Sequence, residues 1–141
     1  MKLEDIVRKF FAEIGAEPVA CDAEGVYRFE ANGTQVSFLE DDGLVRFIAP
    51  VGPVPKEGRE RFCRELLTAM FPSETADGNV LSLQPGEDVV CLHRKDSLEG
   101  MELSGFCETF GAFTEALGKW REMLAAYRPE GDSKAGTFMR V

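Results

Sequence analysis

Histidine and tryptophan each occur once in this chain of 141 residues, and the four cysteines never form a CxxC pair. Cys21, Cys63, Cys91 and Cys107 follow one another at spacings of 42, 28 and 16. Zinc-ligand spacing is therefore absent, and the thiols read as small apolar fillers in a reducing compartment. Glycine-rich phosphate loops, HExxH, GxSxG and paired carboxylates in an apolar setting are also missing. His93 lies two residues after Cys91, so on a strand both side chains point to one face, too far apart for a thiolate and its base to touch. No catalytic residue, metal ligand or cofactor site is assigned, and the chain is not expected to be an enzyme. An enzymatic alternative would need an acid from another segment brought against Cys91 or His93.

Long hydrophobic runs are lacking too, and MKLEDIVRKFF opens with mixed charges where a signal peptide would need a basic start and an unbroken apolar stretch. The chain reads as soluble and cytoplasmic. Positive charge is scarce: 16 Lys and Arg against 25 Asp and Glu give −9. That balance repels nucleic acid and anionic membrane and favours neutral or basic partners. Residues 16 to 48 alone hold seven acids against Arg28 and Arg46, net −5.

What is present is a core. Hydrophobic residues make up 44% and include eleven Phe, and a chain of this size can bury roughly 70% of the surface it exposes when unfolded. Leu3, Ile6, Val7, Phe10, Phe11 and Ile14 form the stripe of an amphipathic helix closed by Gly15. VYRFEA, Asn32-Gly33 and TQVSFLE predict a hairpin, and Asp41-Asp42-Gly43 turns into a third strand, LVRFIA at 44 to 49. Pro50, Pro53 and Pro55 are then expected to end that strand and stiffen a crossover, with Pro55 in the first turn of a helix from about Glu57 to Phe71, stopped by Pro72. SETADG reads as a turn, and NVLSLQ and DVVCLHR around Pro85-Gly86 form a second hairpin. Leu103, Phe106, Phe110, Phe113, Leu117, Trp120, Leu124 and Tyr127 repeat at alternating spacings of 3 and 4, one long helix. Its five aromatics are bulky for a coiled coil, so packing across the sheet is expected. The reading is a single α+β domain, α-βββ-α-ββ-α, with a five-stranded, mostly antiparallel sheet over residues 1–127 and a mobile C-terminal extension at 128–141.

Apolar side chains exceed what one helix layer hides. In the third strand Val45, Phe47 and Ala49 alternate with Leu44, Arg46 and Ile48, so both faces need cover. The middle helix likewise carries two apolar rows, Phe62, Leu66 and Met70 beside Cys63, Leu67 and Phe71. These surpluses point to an interaction protein; PVGP also fits a PxxP ligand, though a structural crossover accounts for it.

CDAEGVYRFEANGTQVSFLE, the IAPVGPVP crossover, ELLTAMF followed by DGNVLSL, and the terminal FxEALGKWREML pattern with Trp120 together resemble the Tir chaperone (CesT) family, the class I chaperones of type III secretion, over roughly residues 3 to 127. The resemblance implies a homodimer that binds the N-terminal segment of a secreted effector in extended form, keeps it secretion-competent and hydrolyses nothing. Under it, Phe62, Cys63, Leu66, Leu67 and Met70 are the expected dimer contact, and Ile6, Phe10, Tyr27, Phe29, Leu44 and Ile48 the expected effector surface. An acidic α+β binding domain outside secretion, of sensor or immunity type, is the alternative.

Overall fold

A computed structural model describes residues 2–17, 20–31, 33–70 and 78–128. The expectations for Asn32, for Phe71 and Pro72, for the turn through 77 and for the extension from 129 lie outside these residues. The element order is α1 (Leu3–Glu13), β1 (Tyr27–Ala31), β2 (Thr34–Asp41), β3 (Leu44–Pro53), α2 (Arg59–Ala69), β4 (Val80–Leu83), β5 (Val89–Ser97) and α3 (Leu103–Ala126). The α-βββ-α-ββ-α order expected from the periodicities is therefore the observed one. The five strands form one sheet in the order β1-β2-β3-β5-β4, which leaves β1 and β4 at its edges. β1 pairs β2, β2 pairs β3, and β4 pairs β5, each antiparallel. Backbone bonds from Leu98 N–H to the Gly43 carbonyl (3.0 Å) and from Val54 N–H to the Asp88 carbonyl (2.8 Å) flank the β3–β5 ladder with the same sense.

The turn between β2 and β3 follows its sequence closely. Asp42 has φ 51° and Gly43 φ 76°, the pair of left-handed residues that a two-residue hairpin needs and that Asp-Gly tolerates. β3 is longer than expected. It does not stop at Pro50 but runs to Pro53, and the reason lies in the register. β2 pairs β3 from Ser37↔Ile48 to Asp41↔Leu44, so both prolines fall beyond the β2 ladder and no carbonyl of β2 asks for their N–H. The middle helix begins later than expected. Gly58 sits at φ 67°, a left-handed geometry that cannot continue into a helix, so Arg59 is the first helical residue and Pro55 stays in the connector.

The chain divides into two compact units, and β3, β5 and α3 contribute residues to both. In the first unit (1–49 and 94–114) an aromatic cluster joins helix to sheet. Phe10 meets Phe106 at 5.2 Å and Phe110 at 5.0 Å between ring centroids, and Phe29 at 6.0 Å. Phe47 meets Phe106 and Phe113, each at 5.6 Å, and Phe38 meets Phe106 at 5.7 Å. Tilted and edge-on pairs of this kind add about 0.5–1.5 kcal/mol each to the burial itself. Val45, Phe47 and Ala49 are fully buried on this face, while Leu44, Arg46 and Ile48 on the other are half-buried.

In the second unit (50–93 and 115 onward) Phe62 of α2 packs edge-on against Tyr127 at 5.0 Å, and an Arg59–Asp88 ion pair ties the start of α2 to the loop before β5. Trp120 is 1% exposed within the single chain. With it, Phe106, Phe113, Leu117 and Tyr127 of the same seam are buried without a second copy, as a helix packed within its own chain requires. Trp120→Ala should lower folding stability by about 3–5 kcal/mol, measured by chemical denaturation, and by the same amount at every protein concentration. A loss that appears only on dilution would contradict intrachain burial.

Candidate apolar binding surface

The expected effector residues separate into two groups. Strand pairing puts Tyr27 opposite Phe38 and Phe29 opposite Val36, on the face that carries α1 and its Ile6 and Phe10. Leu44 and Ile48 lie on the opposite face, where Leu39, half-buried, joins them. Ile6 and Phe10 are spent on the core, at 0% and 4% exposure. Phe29, Leu44 and Ile48 are half-buried. Tyr27 is buried, but it lines a cleft.

That cleft, about 290 Å³, lies between α1 and the connector to β1. Val7 and Phe11 of α1 supply one wall, Ala20 and Cys21 the other, Tyr27 the floor, and Glu4 and Arg8 the rim. Arg8 is occupied by Asp5 at 3.2 Å. Burial, then the adjacent Cys21 thiol and the carboxylates of Glu4 and Glu40, push the Tyr27 hydroxyl above the ordinary tyrosine range. Glu40 also accepts a hydrogen bond from Leu3 N–H at 3.4 Å, serving the first turn of a helix that lacks a side-chain cap of its own.

The connector is held by Asp22. Its Oδ1 accepts Glu24 N–H at 2.9 Å and Val26 N–H at 3.0 Å, and its Oδ2 accepts the Arg28 guanidinium of the edge strand. Asp22 N–H donates to the Val26 carbonyl at 3.0 Å, and Gly25 turns the loop at φ 82°. The hydrogen bonds from Arg28, Val26 and Glu24 hold the carboxyl near 2 against an ordinary 3.8.

The expected dimer residues also separate. Phe62 and Leu66 are 1% and 5% exposed, inside the chain. Cys63 and Met70 are half-buried, and Leu67 is 70% exposed. Periodicity showed two apolar rows but not which one faces inward. The cleft walls Val7 and Phe11 were visible in the sequence only as part of the α1 stripe. The Asp22 constellation was visible only as an Asp-x-x-Gly turn.

The Cys91 thiol is not activated as a nucleophile. Burial, and then Glu87, raise the Cys91 thiol, the opposite of activation, and its Sγ points to Gln84 Oε1 at 3.8 Å. Among the described residues no group of three or more His, Cys, Asp or Glu is placed to hold a metal, and no helix is long and apolar enough to cross a membrane.

An antiparallel sheet with an edge strand, an aromatic helix layer and accessible apolar rows defines an α+β scaffold with one apolar face left partly open. Residues 5–121 match the Tir chaperone protein (CesT) family, and the chain belongs to it. Three solved structures share the fold at low identity. The ExsC–ExsE complex gives 18% identity and a TM-score of 0.74 over 88% of this chain and 97% of that one. The HopA1–SchA chaperone–effector complex gives 13% and 0.67 over 84% and 92%. The heterodimeric ExoU–SpcU complex of the Pseudomonas aeruginosa type III secretion system gives 13% and 0.62 over 81% and 93%. No curated protein sequence matches the chain.

The Asp22 carboxyl has a lowered folded-state pKa, so its contribution to stability is complete above about pH 3.8 and is lost as pH falls through about 2. Carbon-detected NMR should place its titration near 2 in the wild type and move it up towards 3.8 in Arg28→Ala. An unmoved midpoint would show that Arg28 does not hold it.

Proposed function

We propose that this protein is a type III secretion chaperone that binds the N-terminal segment of a secreted effector in extended, non-globular form and keeps it competent for secretion. One observation carries the reading: β1 is an edge strand bordered by apolar surface, with the α1 cleft and Phe29 on one face and Leu39, Leu44 and Ile48 on the other. An edge strand offers main-chain hydrogen bonds to an incoming strand, and the apolar rows offer anchors for its alternate side chains. Arg28 and Glu30, both exposed on β1, keep that edge soluble when empty. A segment with spaced apolar anchors and some Lys or Arg suits the −5 stretch of 16 to 48.

Binding is the whole of the activity: the protein turns over no substrate and works in the cytoplasm, where its partner is made. Residues 1–127 form the chaperone domain. A second copy of the chain packs on the outer side of α2, at Cys63, Leu67 and Met70. A Leu side chain 70% exposed is the kind of surface that a two-fold contact repeats on both subunits.

A partner co-purified with the chain should be protease-resistant along its bound segment while its amide resonances stay narrowly dispersed, without the spread of a compact core. A bound partner with a fully dispersed spectrum would sink the extended-segment reading. For the dimer, Leu67→Asp should convert it to a monomer in light scattering with its thermal midpoint nearly intact, whereas Leu66→Asp should cost about 3–5 kcal/mol through an unpaired buried charge. A wild type that is already monomeric at micromolar concentration would refute the α2 contact.

A further inference from the structure

We infer that Asp22 is a positioning residue for effector binding: its carboxylate holds the connector as a fixed wall of the cleft between α1 and Tyr27, so that the cleft accepts one apolar side chain of the effector segment. The inference rests on the chaperone reading above and adds the residue that shapes the site. The connector makes no regular secondary structure from 20 to 26, yet Ala20 and Cys21 from it line the cleft. Left to itself such a stretch would sample many conformations, and an anchor entering the cleft would have to order it at the moment of binding.

Asp22 removes that cost in advance. Its side chain collects Glu24 N–H, Val26 N–H and the Arg28 guanidinium, and the backbone closes the same loop through Asp22 N–H to the Val26 carbonyl at 3.0 Å and Gly25 N–H to the Asp22 carbonyl at 3.0 Å. Arg28 belongs to the edge strand, so the loop is tied to the element on which the partner is expected to add a strand. Cys21, next in sequence to Asp22, is thereby set beside the Tyr27 hydroxyl. The carboxylate is half-exposed and outside the core, so removing it disturbs the cleft wall before it disturbs the fold. The occupant follows from charge as well as shape. The cleft walls are apolar, Glu4 on its rim and Glu40 close by bear negative charge, and Arg8 is already paired with Asp5. An apolar anchor beside a Lys or Arg is therefore the complementary pattern.

The carboxylate does two separable jobs, and substitutions distinguish them. Asp22→Asn keeps an oxygen for the two backbone N–H groups and loses the charge that holds Arg28. Asp22→Ala loses both. The charge swap Asp22→Arg with Arg28→Asp restores an ion pair but offers no acceptor to Glu24 and Val26. The probe is a short fluorescein-labelled peptide with Leu and Phe anchors spaced by Lys and Ser, and a second readout is maleimide labelling of Cys21. The wild type should bind the peptide, and the bound peptide should slow Cys21 labelling. Asp22→Ala should bind about tenfold more weakly, the scale on which losing one charge-assisted hydrogen bond shifts an equilibrium, with a thermal midpoint at pH 7 lowered by only a few degrees. Asp22→Asn should fall between the two, and the charge swap should resemble Asp22→Ala.

Equal peptide affinity in the wild type and Asp22→Ala overturns the role of Asp22 and leaves the chaperone reading standing. A peptide that does not bind, or that binds without slowing Cys21 labelling, overturns the cleft as an anchor site. The protease protection of a co-purified partner then decides the chaperone reading separately. Full rescue by the charge swap also contradicts the inference, because it would reduce Asp22 to a surface ion pair.

Discussion

Eight of the eleven phenylalanines, Phe10, Phe11, Phe29, Phe38, Phe47, Phe106, Phe110 and Phe113, meet in the first unit, and that single aromatic contact constrains what the rest of the unit can do. It commits one face of β1–β3 to α1 and the first half of α3. The opposite face is left with Leu39, Leu44 and Ile48 half-buried, and β1 is left at the sheet edge. Apolar side chains on a strand that already serves a packed core are costly to expose. Their presence on the second face is therefore the chain's strongest argument that it works by binding. The same cluster accounts for the burial of Ile6 and Phe10, which hold the helix in place, while Val7 and Phe11 beside them line the cleft.

Much of this architecture was legible because its signals are local. The α1 stripe, the Asp42-Gly43 turn and the alternating 3 and 4 spacing of α3 depend on the conformational preferences of adjacent residues, and each element formed where its pattern lay. The extent of β3 was not legible, because a proline is forbidden in a strand only where a neighbouring carbonyl demands its N–H. Whether Pro50 and Pro53 meet that demand depends on the registers of both neighbours, β2 and β5, which are non-local quantities. The start of α2 depended on the left-handed φ of Gly58, and composition does not say which of several conformations a glycine will take.

The candidate site was less legible than the fold. Two apolar rows on α2 were evident in the sequence, but only packing decides that Phe62 and Leu66 turn inward and Leu67 outward. Asp22 could be read as a turn former; that its carboxylate also reaches Arg28 on the edge strand follows from the closed loop in between. Membership of the Tir chaperone family sets the class of function, while the neighbours at 13–18% identity set the fold alone. The surfaces in between are particular to this chain.

Hydrogen exchange on the complex with a co-purified partner tests the central claim most directly, since an extended segment laid on the edge strand must slow the amides it covers. The account predicts new protection in residues 3 to 14 and 26 to 31, with the region around Cys91 and His93 unchanged. Protection confined to Cys91 and His93, with α1 and β1 exchanging as in the free protein, would contradict it.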